Sequence, residues 1–352
     1  MMEENIVIIG AGQTGRGFLA PLVKQNKHTK ITFIDKDEKR IQMLREKKSY
    51  TISYYDATTE DVVITDFDAY TLFDKKAIEV IANADLVLVS VGGENLVDLI
   101  ETFKEATKIR TKNKLRIVCC ENGVHVKEPL VKANIDAYIS EGAVFCTTLA
   151  SDDQSLTLGS QVYPNLPYDI HALDQPIALD GFKAENDFAS LIQRKIYTYN
   201  CLSACIAYVG AYKGYTSYAQ AANDEDVSNM MDELLVQLDD AIRQEYQISL
   251  EEQQTFSAYA IAKFKNTYIV DTIARNARTV QRKVGISERM VQPLNLCRKY
   301  GKDTSVLEAM IAYAFYYGVH TENESLTELI AISGIADDEK LYQNIMHVYH
   351  TL

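Results

Sequence analysis

Residues 6–18, IVIIGAGQTGRGF, constrain the fold more than any other part of the chain. The apolar run Ile6-Val7-Ile8-Ile9 leads directly into Gly10, Gly12 and Gly15, and a helical pattern follows. An apolar run without alternation reads as a strand buried on both faces. Glycines at this spacing allow a tight turn at Gly10, close approach of a pyrophosphate at Gly12 and tight packing of helix on strand at Gly15. The helix N-terminus offers unpaired N–H groups and a positive dipole end to the phosphates. Asp35 closes the second apolar run, twenty residues after Gly15. A carboxylate there accepts ribose hydroxyls and repels a 2′-phosphate, which favours NAD over NADP. Lys36 and Arg40 lie nearby and weaken that preference.

The first half of the chain continues the alternation. Residues 31–35, 85–91 and 115–120 are further apolar runs of strand length, separated by helical patterns such as residues 38–45. Short apolar strands alternating with helices predict an α/β Rossmann domain with a doubly wound, mostly parallel sheet. Residues 137–158 read as later strands, and the proline-bearing residues 161–176 as loops or hairpin edges. Gly92 and Gly93 end one run, and Glu121, Asn122 and Gly123 follow another, on the ligand-binding edge of such a sheet. Small residues at Gly92 leave room for the nicotinamide ribose; the alternative is a simple turn.

The second half changes character. It has no proline between Pro176 and Pro293, and neither Gly nor Pro between Gly214 and Gly285. Met230, Leu234, Leu238 and Ile242 fall four apart, with Met231 and Leu235 beside them, as one helical face requires. Ser249 with Glu252 and Ser325 with Glu328 are capping boxes. The expectation is an NAD-binding domain over residues 1–186 and an all-α substrate domain over residues 187–352.

Composition narrows the partners. A net charge of −13 argues against nucleic acid or an anionic membrane surface. No apolar stretch reaches the ~20 residues of a membrane span. The first residues are acidic before their apolar run, the reverse of a secretory signal. The six cysteines show no zinc spacing. His347 and His350 have no acid or thiol close by in the sequence to complete a metal site. These features fit a reduced, cytoplasmic protein acting on a small molecule, as a monomer or small homo-oligomer, with no metal.

Oxidation of an alcohol by hydride transfer needs a base for the hydroxyl proton and donors for the developing alkoxide. The segment QRKIYTYNCLSAC, residues 193–205, supplies candidates where the helical half begins. Asn200 and Ser203 lie one turn apart on one face. Lys195 is five residues earlier, within reach of its long side chain, with Tyr197 and Tyr199 around it. A lysine drawn out of water loses basicity and becomes a usable base. Asn200, with Asn122, can donate amide hydrogens to the alkoxide. On pattern alone, a surface lysine and a capping or core asparagine stand as the alternative.

The segments GAGQTGRGF, ADLVLVSVG, CENGV, QRKIYTYN, FKNTYIVDTIARNAR and SERMVQPLNLCRKYG follow one another from residue 10 to residue 301. In these the chain resembles the polyol-specific long-chain dehydrogenases, and within them the mannitol-1-phosphate 5-dehydrogenases. The resemblance implies metal-independent oxidation of a polyol or polyol phosphate to a ketose. It implies Lys195 as general base or acid, and Asn122 and Asn200 as the oxyanion pocket. It also implies Arg275, Arg278 and Arg289 at the substrate, where they can hold a phosphate or a hydroxyl-rich chain; surface ion pairs are the alternative. Two features depart from the family pattern. Ser203 stands where the family has histidine, and Leu149-Ala150 where it has an Asp-Arg pair. A hydroxy-acid or sugar-acid dehydrogenase of the ketopantoate reductase kind, and an NAD(H)-binding protein without catalysis, therefore stay open as alternatives.

Overall fold

Ile6 and Ile8 enter one hydrophobic core and Val7 and Ile9 another, which is why the first strand ends in four apolar residues. The computed structural model describes residues 3–121, 123, 125–150 and 155–352. The chain divides into two compact units, residues 1–192 and 193–352. In the first, β1 (Glu4–Ile9), β2 (Thr29–Asp35), β3 (Phe67–Thr71), β4 (Leu86–Val89), β5 (Leu115–Cys119) and β6 (Ala137–Glu141) form one sheet. Their order is β3-β2-β1-β4-β5-β6, and every neighbouring pair is parallel. This is the doubly wound Rossmann arrangement, and the strand order reverses between β1 and β4. Ile81, Phe103 and Ala106 cover the face of Val7 and Ile9, while Phe18, Leu22, Ile41 and Leu44 cover the face of Ile6 and Ile8.

A second, four-stranded sheet takes Val62–Thr65, Ser49–Tyr54, Leu158–Ser160 and Thr148–Ala150 in that order. Its buried Tyr50, Ile52 and Ile64 extend the core of Ile6 and Ile8. The proline-bearing stretch differs from expectation. Leu166–Asp169 is a strand paired in parallel with Phe182–Glu185, so it forms no hairpin. Pro167 sits in a two-stranded sheet whose other edge is met only by an isolated bridge between Gly142 and Tyr168, and its carbonyl accepts from the Ala143 N–H at 2.8 Å.

The second unit has only helices as regular elements, apart from one isolated bridge between Ser217 and Thr272. Cys201–Tyr212 is apolar nearly all round and buries Cys201, Leu202 and every residue from Ala204 to Gly210. Ser305–Thr321 and Ile273–Ala277 pack against it. The longest helix, Glu225–Tyr246, buries Val227, Met231, Leu234, Leu238 and Ile242. The buried face thus runs through Met231, while Met230 is only half-buried. Both capping serines act as expected: the Ser249 hydroxyl accepts from the Glu252 N–H at 3.0 Å, and Ser325 from that of Glu328 at 3.4 Å. No helix among the described residues is long and apolar enough to cross a membrane.

The long helix supplies a test of its own face. Leu238 is fully buried and Val236, two residues away, is 70% exposed. Leu238→Ala should cost about 2–5 kcal/mol through lost burial and a residual cavity. Val236→Ala should stay within about 0.5 kcal/mol. Urea unfolding followed by circular dichroism separates the two.

Candidate active site

In the first unit the chain leaves β1 at Gly10 with φ of +98°, and its N–H donates to the Ile34 carbonyl at 2.8 Å. A Cβ on Gly10 would stand 2.2 Å from the Ser90 carbonyl oxygen, and one on Gly15 would stand 1.9 Å from that of Gly10. Both positions therefore exclude any side chain. A Cβ on Gly12 would meet nothing within 4 Å, so the loop is open on that side. The helical stretch then widens into a π-turn, Gly15–Leu19, with the Ala20 N–H bonded to the Gly15 carbonyl. Arg16 sits inside this turn and is 3% exposed. Its guanidinium donates to the carbonyls of Ala11 at 2.7 Å and Leu156 at 2.5 Å and lies 5.7 Å above the Tyr50 ring. Burial lowers its pKa to about 10, so it stays charged at neutral pH beneath the loop. The Arg16-Gly17-Phe18 extension is thus a brace, with Phe18 in the core.

Asp35 ends β2. Its carboxylate accepts the Asp37 N–H at 2.9 Å and faces the Arg40 guanidinium at 3.4 Å. A cavity of about 310 Å³ is lined by Gly10, Gly12, Asp35, Lys36, Ser90 and Val91 among others. Lys36, a potential partner for a 2′-phosphate, is tied to Asn95 at 2.8 Å and Asp98 at 3.4 Å. Gly92 has φ of +89°, and a Cβ there would crowd Asn95 and Glu94 at 3.1 Å. Asn122 lies outside the described residues.

The sequence places the preceding residue, Glu121, on the ligand-binding edge but assigns it no role. It is 9% exposed, and one carboxylate oxygen accepts the N–H groups of Val91 at 2.6 Å and Gly92 at 3.0 Å. It therefore ties the loop after β4 to the loop after β5. Burial raises its pKa to about 7, against the two N–H bonds that favour the anion.

In the second unit, Lys195 ends the helix Phe188–Lys195 and is followed by a π-turn, Ile196–Asn200, and the helix Cys201–Tyr212. The Cys201 N–H reaches the Ile196 carbonyl, five residues back. In a regular α-helix, residues five apart point about 140° away from each other. The wider turn brings residue 200 back toward the line of residue 195. Lys195 is 6% exposed. Burial first, then the like charges of Lys263 and Arg289, lowers its pKa to about 7. Asn200 and Ser203 are half-buried, and the Ser203 carbonyl accepts from the Tyr218 hydroxyl at 3.3 Å. The ring of Tyr199 packs edge-on against Phe256 and Phe264.

The three candidate arginines separate. Arg289 is within electrostatic range of Lys195; it pairs with Glu288 at 3.4 Å, and burial pushes its pKa below the usual guanidinium value. Arg275 is held by both oxygens of Asp271, at 2.6 and 2.5 Å. Arg278 is exposed. Two further cations were not expected, Lys263 and Lys283. Lys283 is 5% exposed; its amine donates to the carbonyls of Asn276 and Arg278, and burial together with Arg289 and Arg282 lowers its pKa to about 7. Its place between the buried Val280 and Val284 was the available signal. Lys263, in a mixed helix, gave none.

Two family profiles match the chain: the mannitol dehydrogenase Rossmann domain over residues 4–150 and the mannitol dehydrogenase C-terminal domain over residues 187–344. The mannitol-1-phosphate 5-dehydrogenase of Lactiplantibacillus plantarum is 27% identical over 360 residues, covering 96% of this chain and 92% of that protein. Among solved structures, a substrate-free D-sorbitol dehydrogenase superposes with a TM-score of 0.80 at 14% identity, covering 99% of this chain and 93% of that one. The mannitol 2-dehydrogenase of Pseudomonas fluorescens, in a ternary complex with NAD and D-mannitol, gives 0.71 at 13% identity, covering 100% and 95%. These two likenesses establish the fold.

Glu121 makes the first unit's stability depend on pH. The unfolded chain releases this proton near the ordinary value of 4.5 and the folded chain near 7. Wild-type stability should therefore fall between about pH 4.5 and 7 and level off above. Glu121→Gln lacks that slope, so its advantage in urea unfolding should widen across the same window. A constant difference from pH 4.5 to 8 would show that Glu121 ionises normally.

Proposed function

The chain belongs to the mannitol dehydrogenase family, and from that premise we propose that it is an NAD-dependent dehydrogenase interconverting a polyol phosphate, of the mannitol 1-phosphate type, or a polyol with its ketose, using Lys195 as the base. The observation that carries this reading is the burial of Lys195 among other cations. An ordinary lysine is an ammonium at neutral pH and accepts no proton. With a pKa lowered to about 7, Lys195 has a neutral amine accessible at neutral pH.

The residues of the first unit fit NAD. The glycine loop is open at Gly12, and Asp35 stands at the end of β2 beside the cavity. The ternary complex of the Pseudomonas fluorescens enzyme with NAD and D-mannitol supports the same choice. NAD, when bound, supplies the acceptor for the hydride. Gly12 would let the pyrophosphate approach the loop, whose turn and helix packing Gly10 and Gly15 set, Asp35 would take the adenosine ribose hydroxyls, and Gly92 would leave space for the second ribose.

The reacting hydroxyl passes its proton to the Lys195 amine, which becomes an ammonium, and the carbon becomes a carbonyl as its hydride leaves. Asn200 donates amide hydrogens to the oxygen while negative charge builds on it. Asn122 has the same role by its place in the CENGV segment. Ser203 supplies a hydroxyl to a neighbouring substrate oxygen. Reduction runs the same steps backwards from the ammonium. A lysine in this role needs no metal to activate the alcohol.

A phosphorylated substrate is supported by the cations. On a chain of net charge −13, Lys263 and Arg289 add positive charge at Lys195. Guanidinium suits phosphate well through parallel hydrogen bonds. Arg289 is therefore the first candidate for the phosphate. Arg278 is exposed and Arg275 is committed to Asp271, so both have lesser parts.

Lys195→Ala should abolish turnover while NADH binding, followed by fluorescence titration, stays within about two-fold of wild type. For alcohol oxidation, kcat/KM should rise with pH through about 7 as the amine of Lys195 loses its proton. Full turnover in Lys195→Ala would remove this residue from the mechanism. Arg289→Met should raise KM for a hexitol phosphate by about ten-fold or more and for the free hexitol much less. A panel of hexitols, hexitol phosphates and hydroxy acids, assayed at 340 nm, tests the substrate class; turnover of hydroxy acids alone would replace the polyol reading.

A further inference from the structure

Behind the π-turn of the second unit lies a network of buried polar side chains that the chemistry above does not use. Gln253 is fully buried, Thr198 is 0% exposed, Ser257 is 1% and Asp239 is 4%. The Gln253 side-chain nitrogen shares its two hydrogens among Thr198 Oγ1 at 3.0 Å, Asp239 Oδ1 at 3.1 Å and Ser257 Oγ at 3.2 Å. Its side-chain oxygen accepts from Arg194 Nε at 3.2 Å. Thr198 stands in the middle of the π-turn and Arg194 immediately precedes Lys195. One glutamine therefore grips the chain on both sides of the lysine.

The direction of the amide is fixed by charge. Ser257 Oγ donates to the Asp239 carboxylate at 2.6 Å. A carboxylate accepts hydrogen bonds and gives none, so the Gln253 nitrogen must face Asp239 and its oxygen must face Arg194. Arg194 is held in turn by Glu252 at 2.8 Å and lies 5.0 Å above the Phe256 ring. Burying such groups is costly unless every one is bonded. Arg194 and Thr198 belong to the lysine-bearing segment, and Asp239, Gln253 and Ser257 come from two separate helices, Glu225–Tyr246 and Leu250–Lys265. A turn with bonds five residues apart is rare, occurs mostly as a single widened turn and is frequent at functional positions. Here the bond from Gln253 to Thr198 anchors that turn from outside the helix.

We propose that Gln253, oriented by Asp239 and Ser257, locks the Ile196–Asn200 π-turn and is thereby a positioning residue for Lys195 and Asn200. Its consequence for catalysis rests on the reading of Lys195 as the base. Misplacing a reacting group by about 1 Å can cost about 100-fold in rate. Removal of this clamp should therefore act on kcat and leave binding alone.

The test compares Thr198→Val, which keeps the shape and removes the hydroxyl, with Thr198→Ser, which keeps the hydroxyl, and with Gln253→Leu. Thr198→Val and Gln253→Leu should lower kcat by about ten-fold or more, with KM and NADH affinity changed less than about two-fold; Thr198→Ser should retain wild-type kcat. A second readout is independent of turnover. The pH dependence of acetylation at Lys195, quantified by peptide mass spectrometry, gives the midpoint of its amine. That midpoint should lie near 7 in wild type and move by about one unit or more in Thr198→Val and Gln253→Leu. A fall in melting temperature with kcat and the midpoint both unchanged would overturn the proposal and leave the network a purely structural one. If Lys195→Ala keeps full turnover, the assignment of the base fails, and the midpoints alone decide whether Gln253 sets the position of Lys195.

Discussion

The candidate site of the helical unit depends on the desolvated amine of Lys195. A lysine is normally kept in water, because an ammonium transferred into the interior loses several kcal/mol of hydration. Lys195 is nonetheless 6% exposed, and Lys263 and Arg289 make its charged form less favourable still. Helices that carry only apolar residues would expel such a group or keep it permanently neutral. Here the segment that bears it is anchored on both sides by Arg194 and Thr198 to a single buried glutamine. That glutamine is held by a buried carboxylate. The cost of one strained protonation equilibrium is thus spread over a network in which each polar group has a partner.

The two segments given functional roles share a backbone device. Gly15–Leu19 and Ile196–Asn200 are both π-turns. Each has a buried cation beside it, Arg16 in the first and Lys195 at the start of the second. A widened turn shifts side chains by part of a turn relative to an α-helix, without a break in the helix. In the first case it lets Arg16 fold back under the glycine loop to the Ala11 carbonyl while Phe18 and Leu19 stay in the core. In the second it brings Asn200 toward the side of Lys195. The five-residue spacing between that lysine and asparagine has no rationale on a regular helix and acquires one on a π-turn.

What the sequence revealed follows from how local each requirement is. Gly10 and Gly15 were legible because the backbone carbonyls of Ser90 and Gly10 leave no room for any other residue. The unalternating IVII strand was legible because both faces of its sheet are covered. Ser249 and Ser325 were legible because a cap is decided within four residues. Lys263, Lys283, Glu121 and Gln253 were not, since each is a polar residue whose burial is imposed by segments distant in the chain. In isolation, EEQQTF reads as a solvated helix start, yet Gln253 is fully buried. The π-turns escaped for another reason: Lys195 and Cys201, which flank the second of them, have ordinary right-handed helical dihedrals, so no residue type marks the insertion. The parallel pairing of Leu166–Asp169 was hidden because Pro167 signals an edge and says nothing about strand direction.

Charge is used with opposite signs in the two units. At the nucleotide edge the fixed charge at the end of β2 is a carboxylate, and the cations near it, Lys36 and Arg40, are already engaged by Asp98, Asp35 and Asp37. That leaves little positive field for an extra phosphate and suits two uncharged hydroxyls. Around Lys195 the charges are cations, and of the acidic groups in the network Asp239 is turned toward Ser257 and Gln253 while Glu252 is paired with Arg194. An anion bound there would offset the repulsion that Lys195 feels from Lys263 and Arg289, and would raise its pKa again. On the reading of Lys195 as the base, a phosphorylated substrate would therefore bring the lysine closer to protonation as it binds, favouring the ammonium for ketose reduction over the neutral amine for alcohol oxidation. With a serine at position 203, no imidazole there is available to buffer that change. The balance between the two directions then falls on the electrostatics of Lys195, Lys263 and Arg289.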